Sequence, residues 1–251
     1  ELKKRQKSGE FVTNTGTKKR RFRRVESKIT AKGARAIFYR QFLEYKKEKY
    51  FIFTKMTVLS AVVAFIFAYS LQKSVSDSSM AGFILLGVVA YVALIMSGYT
   101  GKWESELKNP YIFLIPDSPL KKMWYATLME HVKAFADGCI ICIPIGIFWH
   151  VPVIEIIYCI LIYTVLQADR LYTMVIVQSL LGEVFGKTGQ SLLRMFIQMA
   201  LLGVGAGVGV LAAVLISQTL IFPIVLIYGL MITVAMGAIA LLRFDTMEQF
   251  V

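Results

Sequence analysis

Long apolar stretches alternate with short polar connections over most of this chain. An α-helix rises about 1.5 Å per residue, so about 20 apolar residues are enough to cross the hydrocarbon layer of a membrane. The pattern therefore predicts an all-α integral membrane protein with a six-helix transmembrane domain over residues 51–242. The predicted spans cover approximately residues 51–71, 80–100, 128–150, 151–169, 195–217 and 219–242.

The segments on either side of this domain are more polar. Residues 1–30 combine Lys, Arg, Thr, Gly and Ser with few apolar residues, which is typical of a flexible basic tail or linker. In residues 31–50, apolar side chains recur at helical spacing among basic ones, which predicts an interfacial amphipathic helix before the first span. These apolar side chains are Ile37, Phe38, Phe42 and Tyr45. Residues 243–251 are predicted to form a C-terminal cytoplasmic tail.

Composition agrees with a membrane environment, and charge adds an orientation. The chain is 57% hydrophobic and 18% charged with a mean hydropathy of +0.62, which is outside the range of a soluble globular domain. Residues 1–50 hold 17 Lys and Arg against 5 Asp and Glu, which accounts for the net charge of +12. Basic connections at 101–122 and 182–194 alternate with charge-poor ones. The positive-inside rule therefore predicts that both termini are cytoplasmic.

The basic tail has two possible classes of partner. A run of Lys and Arg over residues 18–24 has the charge to bind nucleic acid or a lipid surface. In front of a membrane span, the same run satisfies the positive-inside rule and attracts anionic lipid headgroups. We therefore predict membrane lipids as the partner of the tail and no nucleic acid.

The sequence contains no convincing catalytic or metal-binding pattern. The three Cys residues lie in apolar runs, which favours helix packing over a disulfide or a redox pair. His131 and His150 are 19 residues apart in one predicted span. That separation is about 28 Å, too far to share a metal ion. Residues 182–188 imitate a phosphate-binding loop but have one residue too few between the glycines. We expect no enzyme activity, metal or ATP site in this chain.

The longest predicted cytoplasmic connection, residues 101–119, carries an unusual combination of residues. Three prolines punctuate it, and an aromatic and aliphatic cluster at 111–115 is too short to span a membrane. Asp117, Ser118 and Pro119 are typical of residues that begin a helix, so the next helix is predicted to start at about Leu120.

Two stretches carry a resemblance to a known family: residues 33–41, GARAIFYRQ, and residues 109–124, NPYIFLIPDSPLKKMW. From about residue 31 to its end, the chain resembles the permeases of type-2-class ABC exporters, most closely the putative ABC exporter family of Firmicutes. The resemblance implies a permease of the bacterial cell membrane, with ATP and Mg²⁺ bound by a separate ATPase subunit. It also implies a second six-helix unit, either a dimer partner or the other half of a tandem protein. A start without Met inside a basic linker fits the C-terminal half.

In the family that the chain resembles, a short cytoplasmic helix between spans two and three couples the permease to its ATPase. By that resemblance, Tyr111, Phe113 and Leu114 are expected to seat in the ATPase groove. The full set of expected partner-coupling residues is Glu104, Glu106, Asn109, Pro110, Tyr111, Phe113, Leu114 and Pro116. The alternative is a proline-stiffened loop whose apolar residues anchor it to the membrane interface.

Ionisable residues inside spans are functional candidates because burying a charge in hydrocarbon is unfavourable. The candidates are Glu130, Lys133 and Asp137 on the third span and Asp169 and Arg170 on the fourth. Measured from the tight turn near residue 151, Lys133 and Asp169 reach nearly the same depth, about 25 Å. We predict pairs of Lys133 with Asp169, and of Arg170 with Glu130 or Asp137. Such pairs could brace the hairpin or contact cargo.

The fifth span contains glycines at alternating positions, which form two small-xxx-small seams where another helix can approach closely. One seam is Gly203 with Gly207, and the other is Gly205 with Gly209. Packing within the subunit and packing against a second unit are both compatible with this pattern.

Taken together, these features predict an ATP-driven exporter permease that moves an amphipathic or hydrophobic cargo, such as a peptide or lipid-like molecule, outward. The alternative is a membrane scaffold or small channel with a lipid-binding basic tail. A channel would require a polar stripe along one span, whereas the polar residues cluster near the predicted cytoplasmic end.

Overall fold

A computed structural model describes most of the chain beyond the basic tail. The described residues are 31–47, 51, 53, 55–71, 78–98, 102–107, 110–181, 186–217 and 220–249. The predicted tail over residues 1–30 and the coupling candidate Asn109 lie outside them. Within the described residues the fold is helical and contains no β-strand.

Eight α-helices and one 3₁₀ turn make up the described part of the chain. The helices are α1 Arg35–Lys47, α2 Lys55–Leu71, α3 Ser78–Ser97, α4 Lys102–Leu107, α5 Pro119–Phe148, α6 Val153–Leu181, α7 Gly186–Leu215 and α8 Ile221–Gln249. The 3₁₀ turn is Pro110–Ile112. The short connection between α5 and α6 makes these two helices an antiparallel hairpin.

Helix length and apolarity confirm the prediction of an all-α membrane protein. Five helices, α3, α5, α6, α7 and α8, are long and apolar enough to cross a membrane. The predicted first span corresponds to α2, which has 17 residues and is shorter than the others. Six spans and the cytoplasmic location of the termini therefore remain predictions.

The four longest helices extend beyond the apolar stretches that the sequence marks as spans. Helices α5 and α7 have 30 residues each, and α6 and α8 have 29 each. A helix of that length is about 45 Å long, whereas the hydrocarbon layer is about 30 Å thick. In each case the extension lies away from the 149–152 turn, so all four helices protrude at the same end of the bundle. We name this end, which carries residues 102–117, the coupling end, and the opposite end the turn end.

Two apolar cores follow one another along the bundle. The turn-end core is built mainly from α3, the second half of α5 and the first half of α6, with Val88, Ile145 and Ile160 among its buried residues. The coupling-end core joins α1, α4 and the opposite halves of α5, α6 and α8, and includes Trp103 and Phe244. Because the same long helices contribute to both cores, the two ends are continuous.

A layer of polar side chains separates the two cores, and we name it the polar belt. On α5 the coupling-end core stops at Ala126 and the turn-end core begins at Ile141, and the residues between them include most of the charges of that helix. The belt consists of Glu130, His131, Lys133, Asp137, Gln167, Asp169, Arg170, Arg194 and Gln198. It contains every intramembrane charge that the sequence analysis selected.

Local backbone features set the ends of α5. The helix begins with Pro119 at its first position and follows Ser118 as the capping residue, close to the predicted start. Pro144 lies inside the helix near its other end, where proline removes a backbone hydrogen bond. In the turn that follows, His150 has a positive φ of 55°, and the Val151 amide donates to the Gly146 carbonyl at 2.9 Å.

Candidate functional site

The segment over residues 102–117, the coupling segment, is anchored in the protein by Trp103. This side chain is fully buried, and its ring lies 6.5 Å from that of Phe244 on α8. Its indole N–H donates to the Leu171 carbonyl on α6 at 3.3 Å. A buried Trp needs such a partner for its polar edge, so Trp103 fixes α4 against α6 and α8.

Two buried glutamates attach α4 to the helices around it. Arg194 of α7 donates to Glu104 at 3.2 Å, and both side chains are almost completely buried. Arg40 of α1 forms an ion pair with Glu106, whose side chain is 7% exposed. Breaking a buried pair leaves an uncompensated charge, so both contacts hold the segment in place.

The second half of the coupling segment is held by Phe113 and Lys122. Ile112 and Phe113 are buried, and the Phe113 ring lies 5.1 Å from that of Phe244. Lys122 of α5 is fully buried, and its ammonium group donates to the Phe113 carbonyl at 3.1 Å and to Glu248 of α8 at 2.7 Å. This one cation therefore joins the segment to both α5 and α8.

Three side chains in the second half of the coupling segment are exposed. Tyr111 is 69% exposed and Leu114 is 66% exposed, and Pro116 is also exposed. These residues project from the end of the bundle where the long helices extend beyond the thickness of the hydrocarbon layer. Large apolar side chains held out on an anchored segment are the composition expected of a protein interface.

The start of the amphipathic helix is attached to the end of the coupling segment. The Ala34 amide donates to the Asp117 carboxylate at 3.2 Å, and the Ser118 amide donates to its other oxygen at 3.0 Å. These two backbone N–H groups, with Lys121 nearby, hold the pKa of Asp117 below its usual range. Arg35 donates to the Tyr125 hydroxyl at 3.2 Å, which raises the pKa of Arg35.

Helix α1 packs along α5 instead of lying apart from the bundle. Its buried side chains are Ile37, Gln41 and Tyr45, and Gln41 donates to the Ala126 carbonyl at 3.0 Å. The Tyr45 hydroxyl donates to Glu130 at 3.2 Å, and the backbone amide of Lys102 donates to the same carboxylate oxygen at 3.2 Å. Glu130 thereby connects α1, the start of α4 and the polar belt.

Arg170 of α6 has its acidic partners on α5. Its guanidinium group interacts electrostatically with Glu130 and Asp137 and donates a hydrogen bond to Gln167 at 2.9 Å. Burial of these groups makes the interaction significant, because an isolated charge inside a membrane is unfavourable.

The structure does not bring Lys133 and Asp169 together as the predicted pair. Among the described residues, no ion pair joins them within 4.0 Å, and the electrostatic partner of Lys133 is Asp137 on the same helix. Matching depth sets the height of a side chain but not its direction around the helix. Consecutive residues on a helix point about 100° apart, so when Arg170 faces α5, Asp169 faces elsewhere.

Asp169 instead faces a cavity of about 330 Å³ enclosed by α3, α6, α7 and α8. The lining is almost entirely aliphatic and aromatic, and of the described residues in it only Asp169 carries a charge. Its side chain is 1% exposed, and the oxygen Oδ1 has no hydrogen-bond partner in the described part of the protein.

The two glycine seams of α7 face different neighbours. A Cβ added at Gly205 would lie 3.0 Å from the Tyr228 ring of α8, and one at Gly209 would lie 3.3 Å from Val225. Gly203 and Gly207 have no such neighbour within 4 Å. The Gly205 and Gly209 seam therefore allows close packing within the subunit, and the other seam faces outward.

Comparison with known proteins assigns the chain to a family. The family model described as "Putative ABC exporter" matches residues 1–248. The chain belongs to this family. It is therefore a multi-pass membrane component of an ABC transporter, a class that works with an ATPase subunit. No curated protein and no solved structure matches the chain.

For an ABC exporter component, the structure divides the predicted coupling residues into two groups. Tyr111, Leu114 and Pro116 are exposed, whereas Phe113 is buried against Phe244 and cannot reach a partner in this conformation. The two other buried members are Glu104 and Glu106, which are occupied by arginines of the same chain. Pro110 begins the 3₁₀ turn.

Several residues that build the exporter's coupling end escape sequence-based selection. Trp103, Lys122 and Arg194 look like ordinary interfacial residues of a membrane protein, because Trp, Lys and Arg are common at helix ends. The available signal is the amphipathic continuation of α5 and α7 beyond their apolar stretches, which hydropathy alone does not detect.

Proposed function

We propose that this chain is the membrane subunit of an ATP-driven exporter and that it docks to its ATPase through Tyr111 and Leu114. The observation that carries the proposal is the exposure of these two apolar side chains on a segment that Trp103, Glu104 and Phe113 anchor in α6, α7 and α8. ATP and Mg²⁺ belong to the partner subunit in this proposal.

Rigid attachment is what makes this segment suitable for coupling. A flexible loop would absorb a displacement of the ATPase, whereas Trp103 and Lys122 connect the segment directly to long helices. Aromatic and aliphatic anchors surrounded by polar groups are the usual source of binding free energy at protein interfaces. Movement of the ATPase would thus reach α5, α6 and α8 through buried contacts.

The test is a charge placed on the exposed surface of the segment. We expect the double variant Tyr111→Asp and Leu114→Asp to reduce co-purification of the ATPase subunit in mild detergent by about tenfold or more, because loss of two anchors removes about 2 kcal/mol or more. Cargo-stimulated ATPase activity should fall in parallel. Val153→Asp is the matched control, since Val153 is 72% exposed at the turn end.

A Phe113→Ala variant separates docking from folding. Phe113 is buried, so its truncation should lower the thermal stability of the isolated subunit, whereas the double Asp variant should leave that stability unchanged. Normal co-purification and normal stimulated activity in the double variant would contradict the proposed docking surface. ATP-independent flux in proteoliposomes would favour a channel instead.

The remaining features of the proposal concern the assembly and its cargo. The outward export of an amphipathic or hydrophobic molecule, such as a peptide or lipid-like compound, is supported by an apolar cavity inside the helix bundle. A second six-helix unit is proposed from the family, and the outward seam of Gly203 and Gly207 leaves room for a neighbouring helix. We place the assembly in a bacterial cell membrane, with the basic tail against anionic lipids.

A further inference from the structure

The cavity lined by Asp169 is separate from the coupling end and combines apolar walls with one acidic residue. From its aliphatic walls and single buried carboxylate, we infer that it binds an apolar molecule carrying an ammonium group. The volume of about 330 Å³ lies within the range of small-molecule sites. Its lining runs along α8 from Ile221 to Ile232, a distance of about 16 Å by helical rise.

The position of Asp169 makes the two ends of the cavity chemically different. By chain order, Asp169 of α6 and Leu201 and Leu202 of α7 are the lining residues of those helices farthest from the turns, while Phe83 and Ile221 line the end nearest the turns. An elongated ligand would therefore place its polar group at the belt and its apolar part towards the turn end. Apolar walls with one placed polar group are typical of sites that fix the orientation of a ligand.

Protein groups near Asp169 satisfy its carboxylate only in part. The Thr233 hydroxyl contributes a side-chain hydrogen bond to it, but the same hydroxyl also donates to the Gly229 carbonyl at 2.9 Å, so its single proton is shared. The Tyr228 hydroxyl, also in the lining, donates to the Leu201 carbonyl at 3.1 Å. Among the described residues, no Lys or Arg forms an ion pair with Asp169, and its Oδ1 has no hydrogen-bond partner.

An ammonium group supplies what this carboxylate lacks. A buried charge without a partner is strongly unfavourable in an apolar setting, and an opposite charge with N–H donors compensates for it. The Tyr228 ring lines the same cavity and offers a face for a cation–π contact. A neutral or anionic amphiphile of the same shape would gain the apolar contacts but leave the carboxylate uncompensated.

The cavity also communicates with the outer surface of the bundle. Val210 in its lining is 63% exposed, and Gly87 and Ala206 are exposed as well. In a membrane protein such a surface faces lipid, so an apolar ammonium compound already dissolved in the bilayer could enter from the side. The identification of this ligand as exported cargo rests on the proposed function, whereas its binding does not.

Binding of radiolabelled dodecylamine to the full chain in lipid nanodiscs tests the inference, with empty nanodiscs as the background. We expect saturable binding to the wild-type protein. Asp169→Asn keeps the side-chain volume and removes the charge, and it should weaken binding by about tenfold or more, as expected for a charge-assisted hydrogen bond. Dodecanol and dodecyl sulfate should compete at least tenfold less well than unlabelled dodecylamine.

A second variant tests the cavity without touching the carboxylate. A Cβ added at Gly87 has no neighbour within 4 Å, so Gly87→Leu should fill the cavity without a clash and abolish binding. Ala238→Leu, on an exposed position of α8 outside the lining, is the control and should bind normally. Thermal melting of each variant confirms that it is folded.

The outcomes separate this inference from the proposed function. Equal binding by wild type and Asp169→Asn, or equal competition by dodecanol, would overturn the ammonium site even if docking to the ATPase is intact. The double Asp variant of the coupling segment should bind dodecylamine normally, because the cavity and the docking surface share no residue. Wild-type binding that Gly87→Leu leaves unchanged would overturn the location.

Discussion

Lys122 shows how one buried side chain can determine the shape of a surface. Its ammonium group is fully buried and contacts both the Phe113 carbonyl and Glu248. Without this cation, the Phe113 carbonyl would lose its hydrogen bond to α5, and the packing of the Phe113 ring on Phe244 would remain as the contact with α8. A lysine eight residues after Leu114 thus helps to fix the backbone from which Leu114 projects.

The ion pair predicts a coupled effect on stability. Glu248→Ala should lower the free energy of unfolding by about 1–3 kcal/mol, because the Lys122 ammonium is then left with a single carbonyl partner. Lys122→Met should also destabilise the protein. The double variant should lose less than the sum of the single variants, since neither charge remains uncompensated.

Thermal melting of the four proteins in the same detergent measures this coupling. Lys121→Met is the matched control, because the Lys121 side chain is 62% exposed and its ion pair with Asp117 lies near the surface. Strictly additive losses would contradict the role assigned to Lys122.

The same scale shows what the sequence could and could not predict about the polar belt. The sequence selects five charges of α5 and α6 as one group, because burial of charge is restricted by the membrane, and the structure has them between the two cores. Depth alone does not determine their partners. Arg170 interacts with Glu130 and Asp137, but Asp169 faces away from Lys133, since the rotation of each helix depends on how all its neighbours pack.

At the scale of elements, α7 and α8 are held close by small residues. Gly205→Val should place its side chain against the Tyr228 ring, only 3.0 Å from the added Cβ, and overpacking of this kind costs about 1–3 kcal/mol. Gly203→Val is the matched control on the same helix, because its added Cβ meets no atom within 4 Å. Melting temperatures in detergent compare the two.

We expect Gly205→Val to melt at a clearly lower temperature than the wild type and Gly203→Val to remain near it. The Tyr228 hydroxyl donates a hydrogen bond to the Leu201 carbonyl, so a displaced ring would also lose that hydrogen bond. Equal melting temperatures for both variants would show that α8 accommodates the added side chain, and that the seam is not a close contact.

Helix positions were predictable from sequence, but helix ends were not, apart from the start of α5, which Ser118 and Pro119 indicate. Each of the five long helices overlaps a predicted span, because apolar length is a strong signal. The apolar stretch starts later than α5, which begins at Pro119, and Asp169 and Arg170 interrupt the apolar sequence of α6, which continues to Leu181. Those extensions are held by Lys122, Trp103 and their contacts, which only the folded chain brings together.

At the scale of the whole molecule, the two ends of the bundle should lie on opposite sides of the membrane. Val153→Cys at the turn end is predicted to react with a membrane-impermeant maleimide in intact cells. Leu114→Cys at the coupling end should react only after permeabilisation. Both native side chains are well exposed, at 72% and 66%. The reactions are measured as the labelled fraction of purified protein.

The native thiols make a suitable background for that measurement. Cys142 and Cys159 are buried and Cys139 is half-buried, and all three lie within long apolar helices. A Cys139→Ala background removes the most accessible of them. Labelling of Leu114→Cys from outside in intact cells would reverse the predicted orientation and exclude docking to an ATPase in the cytosol.

Because of Pro144, the two ends of α5 should differ in how easily they bend. The proline interrupts the hydrogen-bond ladder four residues before the helix ends, whereas Pro119 lies in its first turn, where proline fits without a kink. Between the two prolines runs a stiff arm of about 37 Å. Any bending of α5 is therefore expected next to the turn end, so that force applied at Lys122 would swing the arm about a hinge at the opposite end of the bundle.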